Sequence, residues 1–140
     1  MVAEGRFEHD LTVRFHEVDR AGIVFFGRIF EYCHVGFEEV LSAMDMTSVF
    51  QEENWGMPLV HAEADFKRPM RMGDKITVSL AVEKVGKGSV TFGFQVLGTE
   101  DRAVRAVAQQ VHAFVALDTM RPASFPDSLR DGLRGLGLID

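Results

Sequence analysis

The 140-residue sequence predicts one α+β domain, a five-stranded antiparallel sheet wrapped around one long central helix and followed by a short C-terminal helix. Three observations carry that reading. Phe7 to Phe15 alternates apolar with polar residues, a broad apolar stripe at helical spacing comes next, and from Leu59 onward the chain reads as four strands separated by turn residues. Strand, helix, then four strands joined by short turns favours antiparallel pairing over βαβ units.

In the first strand Phe7, His9, Leu11, Val13 and Phe15 share one face. The helix is marked by Phe30, Cys33, Phe37, Val40 or Leu41, and Met44, and is widened by Ile29, Val35 and Met46. A stripe this broad predicts a helix wrapped by the core, with Gly36 the one weak helix former inside it. Asn54-Trp55-Gly56-Met57-Pro58 then breaks regular structure. Strands follow at Leu59–Lys67, Lys75–Val85, Ser89–Leu97 and Arg102–Leu117, with hairpin turns at Gly86-Lys87-Gly88 and Gly98-Thr99-Glu100-Asp101. Pro122 and Pro126 end the last run, and Ser128–Leu136 reads as a short helix. A single sheet around one helix leaves two strand edges to cover, so a homodimer, or a dimer of dimers, is expected.

Composition narrows the functional classes. At 46% hydrophobic and 26% charged the chain matches an ordinary globular domain, and no apolar run approaches the length of a membrane span. The Met1–Arg6 start has no leader pattern, so a cytoplasmic protein is expected, and the single cysteine, Cys33, allows no internal disulfide. The net charge is −6, with no Lys or Arg from Ile29 to Phe66 and a basic stretch at Lys67, Arg68, Arg71 and Lys75, then Lys84 and Lys87. That pattern is poorly built to wrap a nucleic acid but suits a few phosphates of a small ligand; it also reads as a plain solvated surface. His9, His16, His61 and His112 fall singly without metal-ligand spacing, so no metal is expected.

The chemistry concentrates in Asp19-Arg20-Ala21-Gly22-Ile23-Val24-Phe25-Phe26. A carboxylate leaves a strand, a glycine follows, and bulky apolar residues lead into the helix start. A helix N-terminus offers unpaired N–H groups that stabilise an oxyanion, and a carboxylate opposite can attack a carbonyl or activate water. By periodicity alone, an aspartate before a helix is more often a cap or turn residue.

This segment resembles the active-site motif of hotdog-fold acyl-CoA thioesterases of the 4-hydroxybenzoyl-CoA thioesterase type, Asp-x-x-Gly-(Ile/Val)-Val-aromatic. The similarity extends through Gly56-Met57-Pro58, Phe66-x-x-Pro69 and Gly73-Asp74 to about Pro126. It implies a hotdog fold and hydrolysis of an acyl-CoA to free acid and CoA, with no cofactor beyond the substrate's own coenzyme A. Asp19 then acts as nucleophile or general base, and the Phe26 backbone N–H donates to the oxyanion. Gly22, Val24, Phe25, Phe30, Tyr32 and His34 become acyl-site candidates. Lys84 and Lys87, then Lys67, Arg68 and Arg71, become candidates for the CoA phosphates. Phe26 stands where an envelope-associated branch has a histidine, and Val24 where hydratases need one, so the resemblance favours plain hydrolysis. His34 stands on the helix where similar aryl thioesterases carry an acidic group. His34 with Glu38 (i, i+4) reads either as a recognition pair or as a surface hydrogen bond. His16 and Glu17 read as solvated turn residues. Two alternatives stay open, a thioesterase for acyl carrier protein and a non-catalytic acyl-CoA or aromatic-acid binder.

Overall fold

The computed structural model describes residues 2–3 and 5–140. Its main sheet runs from the short strand β1 (Val2–Ala3) through β2 (Arg6–Thr12), then β5 (Lys75–Val85), β6 (Ser89–Gly98), β7 (Val104–Ala113) and β4 (Leu59–Phe66), every neighbour antiparallel. Five of these are the expected strands, and β1 adds two residues at one edge. A second, two-stranded sheet pairs β3 (Trp55–Gly56) with β8 (Val115–Ala116).

Alternation decides which face is buried. Ile76, Val78 and Leu80 of β5 are 0% exposed and pack under the 16-residue helix α1 (Arg28–Ala43), which buries Ile29, Tyr32, Cys33, Gly36, Phe37 and Val40. Gly36 is required at the closest approach, since a Cβ there would lie 2.8 Å from Val78 Cγ1. Helix α2 (Thr47–Glu52) follows α1, and α3 (Asp127–Gly135) buries Leu129 and Leu133 against the same core. The outer face is polar and self-paired, with Arg6 Nε donating to Ser79 Oγ at 2.7 Å and Arg102 gripping Glu8 through two bonds.

The structure shifts some expected boundaries. The first strand stops at Thr12: Val13 N–H still meets the Asp74 carbonyl opposite it, and Phe15–Glu17 then forms a 3-10 turn that leaves Phe15 77% exposed. The last run begins only at Val104, and after Ala113 the chain changes partner, Phe114 N–H still meeting the Gly88 carbonyl opposite it before Val115–Ala116 pairs with Trp55–Gly56. The supposed break at Trp55–Gly56 is a short strand, and α2 was not foreseen. Among the described residues, no helix is long and apolar enough to cross a membrane.

Replacing Gly36 with alanine forces α1 and β5 apart and should cost about 1–3 kcal/mol. Urea unfolding of Gly36→Ala measures the loss, and adding Val78→Ala should return part of it.

Candidate active site

The loop between the 3-10 turn and α1 folds back on itself. Asp19 N–H donates to the Ile23 carbonyl at 2.8 Å and Gly22 N–H to the Asp19 carbonyl at 2.9 Å, with Val18 bridging Val24. Gly22 sits at φ +79°, a conformation that favours glycine. Val24 N–H reaches the Met70 carbonyl at 2.8 Å, which fastens the loop to the segment between β4 and β5.

The fold thereby builds a cavity of about 490 Å³ lined by Asp19, Val24, Phe25, Phe26, Phe66 and Met70, with Lys67 and Arg68 at its side. Asp19 is exposed, and its Oδ1 accepts the Ala21 N–H at 2.8 Å, leaving Oδ2 available to a substrate or water. Phe26 lies in the turn just before α1, and no acceptor takes its N–H among the described residues. Phe25 and Phe26 are 47% and 62% exposed with ring centroids 4.7 Å apart, so the wall beside the carboxylate is apolar. A carboxylate, an unpaired N–H and an apolar wall in one cavity can carry out acyl transfer.

Several candidates lie elsewhere. Lys84 and Lys87 sit at the β5–β6 hairpin, and Arg71, in the loop before β5, does not line the cavity. Phe30 packs against the core. Tyr32, expected in an acyl pocket, is 3% exposed and donates its hydroxyl to Glu17 Oε1 at 3.0 Å. Burial, then the Glu17 carboxylate, pushes the phenol up well beyond the usual tyrosine range, so it stays protonated. Glu17 is thus no solvated turn residue. The same oxygen accepts the Arg14 N–H at 2.7 Å, and the Glu17 carbonyl takes the Phe25 N–H at 2.9 Å, so one residue ties α1 to the Asp19 loop. Burial raises the Cys33 thiol to about 12, leaving it inert.

His34 lines a separate groove of about 580 Å³ with Phe37, Leu41, Phe50, Met57 and His112. His112, which gave no signal as a lone histidine, is 3% exposed, and its Nδ1 lies 2.8 Å from the Met57 carbonyl. Burial lowers its pKa, with a smaller lowering from His34. Its in-phase neighbours Ala106, Ala108 and Gln110 all face inward, and that period-2 pattern was the signal that could have marked it.

A sequence profile described as the thioesterase-like superfamily matches residues 13–133. The chain is 31% identical over 125 residues to a 1,4-dihydroxy-2-naphthoyl-CoA hydrolase of Nostoc punctiforme, covering 88% of this chain and 83% of that one. The crystal structure of a 1,4-dihydroxy-2-naphthoyl-CoA thioesterase from Synechocystis superposes with a TM-score of 0.86 at 25% identity, covering 94% of this chain and 98% of that one. A Staphylococcus aureus protein solved in complex with CoA shares the fold at a TM-score of 0.84 and 14% identity, over 94% of this chain and 83% of that one.

Because the folded state holds the His112 proton more weakly than the unfolded chain does, stability should fall as pH drops through the ordinary histidine value near 6.5. His112→Gln should remove that part of the slope. Urea unfolding of both proteins at pH values from about 7.5 to 5 checks this, and parallel curves overturn it.

Proposed function

The chain is a hotdog-fold thioester hydrolase of the thioesterase-like superfamily, and on that premise we propose that it hydrolyses the CoA thioester of a hydroxylated aromatic acid to the free acid and CoA. The observation that carries this reading is the cavity holding Asp19 and the Phe26 N–H between aromatic walls. The relatives support a fused-ring aryl substrate, where the resemblance to the 4-hydroxybenzoyl-CoA thioesterase type had left the acyl group open.

In this mechanism the thioester carbonyl lies against the Phe26 N–H, which stabilises the oxyanion as the carbonyl carbon becomes tetrahedral. Asp19 Oδ2 either attacks that carbon, giving a mixed anhydride that water then opens, or takes a proton from the attacking water. Both routes expel the CoA thiolate and leave the acid. The rings of Phe25 and Phe26 give the acyl group an apolar surface beside the carboxylate.

The functional unit is a homodimer joined through β4. That strand has one unpaired edge and exposes Leu59, Val60 and Phe66 by 41%, 60% and 49%. Two-fold pairing of identical edges is antiparallel, so the Phe66 end of one copy meets the Leu59 end of the other. His112 and the Gly86–Gly88 hairpin lie at the Leu59 end of the sheet. The groove of the partner subunit thereby adjoins the Asp19 cavity, and the hairpin's Lys84 and Lys87 join Lys67 and Arg68 around the CoA phosphates.

Thiol release from a panel of hydroxynaphthoyl, hydroxybenzoyl, short-chain and long-chain CoA esters tests the activity. Hydroxylated aryl esters should lead, and Asp19→Asn should lower kcat by about a thousandfold or more with an unchanged circular dichroism spectrum. Absence of release from every CoA ester overturns the reading in favour of a carrier-protein substrate or of binding alone. Sedimentation on dilution should show activity per chain disappearing together with the dimer.

A further inference from the structure

The two groups that act on the thioester stand on different pieces of chain. The Asp19 carboxylate lies in the loop after the 3-10 turn, and the Phe26 N–H lies in the turn that opens α1. Attack on a carbonyl held by that N–H needs their separation to be fixed, since a displacement of about 1 Å can cost about a hundredfold in rate. Glu17 joins the two pieces. Its carbonyl takes the Phe25 N–H at 2.9 Å, one peptide before the Phe26 N–H, and its carboxylate takes the Tyr32 hydroxyl, one turn into α1, at 3.0 Å. Beside it the Arg28 guanidinium, at the helix start, donates to the His16 carbonyl at 3.3 Å. Asp19 follows only two residues after this brace.

Packing alone does not account for the pair. Tyr32 belongs to the hydrophobic core, where a phenylalanine would fill the same space, and the Glu17 side chain is only 14% exposed. Taking a carboxylate and a phenol out of water carries a desolvation cost that an apolar pair would not. Neither residue lines the Asp19 cavity; both border a different one, with Arg14 and Lys75. They therefore reach the reaction only through the backbone they hold.

We propose that Glu17 and Tyr32 are a positioning pair, whose hydrogen bond holds the Asp19 carboxylate at working distance from the Phe26 N–H and thereby sets the rate of the chemical step without contributing to substrate binding. This rests on the hydrolase reading above and adds to it two residues that touch neither the acyl group nor CoA. The Tyr32 hydroxyl and the Arg14 N–H both meet Glu17 Oε1, while Oε2 faces His16 Nε2 at 3.9 Å. What the brace requires of residue 17 is thus one acceptor oxygen, not a negative charge.

The test measures kcat and KM for 1,4-dihydroxy-2-naphthoyl-CoA in the full-length protein. Tyr32→Phe keeps the ring in the core and removes only the hydroxyl, so kcat should fall about tenfold or more while KM stays within about threefold. Glu17→Gln keeps the acceptor oxygen without the charge and should retain kcat to within about threefold. Glu17→Ala should lose at least as much as Tyr32→Phe, and the double variant should be no slower than Glu17→Ala, because the two side chains act as one unit. If Glu17→Ala folds poorly, Tyr32→Phe and Glu17→Gln still decide the matter. Leu129→Val, buried in α3, supplies a destabilised control whose kcat should match the wild type. An unchanged kcat in Tyr32→Phe overturns the inference while leaving hydrolysis intact. So does a loss in Glu17→Gln equal to that of Asp19→Asn, which would make Glu17 a reacting group. A fall in kcat for Leu129→Val as large as that for Tyr32→Phe overturns it too, by tracing the effect to stability. A wild type that releases no thiol removes the hydrolase reading itself, and this inference with it.

Discussion

The depth at which α1 sits in the sheet is set at a single contact, where the bare backbone of Gly36 meets Val78. With the helix axis held that close, Ile29, Cys33 and Val40 reach full burial and Phe37 can lie against Phe92 at 5.1 Å. The same seat fixes where the helix begins. The turn at Phe26 can present its N–H beside Asp19 only because the first residues of α1 cannot drift along the sheet. Tyr32, one turn into the helix, then holds Glu17, and Glu17 holds Arg14 and Phe25. A core packing contact is therefore connected to the candidate site by hydrogen bonds between neighbouring elements.

Much of this was legible in the sequence because it rests on periodicity. The buried row Ile76, Val78 and Leu80 and the helical stripe are read directly from alternation and spacing, and the structure keeps them to within a few residues. The errors share a cause. Phe15 continues the apolar alternation by type, yet a 3-10 turn ends the strand before it, because the Arg14 N–H finds a carboxylate acceptor on Glu17. The small residues of β7 satisfy a strand pattern past its real end, where the chain changes partner and Val115–Ala116 pairs with Trp55–Gly56. A side-chain acceptor three residues on decided the first boundary and a distant strand partner the second, and the alternation of residue types reports neither.

The candidate site divides in the same way. Asp19, Gly22 and the aromatic run are contiguous, and the loop that joins them is a local structure, so the motif was visible. Phe66 and Met70 reach the cavity only through the Val24 to Met70 hydrogen bond. Tyr32 and His34 stand two residues apart on one helix, yet one faces Glu17 and the other the groove beside His112. Spacing alone told that they are near the site without telling which side of the helix each would serve. The two environments also treat their titratable groups differently, since burial keeps the Tyr32 phenol protonated and the His112 ring neutral.

The strand order carries a consequence for how the chain reaches this state. β4 pairs with β7, although β5 and β6 lie between them in sequence. As the chain is synthesised, β4 emerges with no partner and waits while the β5–β6 hairpin forms from local contacts. Throughout that interval both of its edges are open and Leu59, Val60 and Phe66 are uncovered. The acidic residues Glu63 and Asp65 on the same strand are the charges available to keep two such nascent segments apart. The edge that suits the strand to join a second finished copy is thus also the segment most exposed to misassociation during biogenesis.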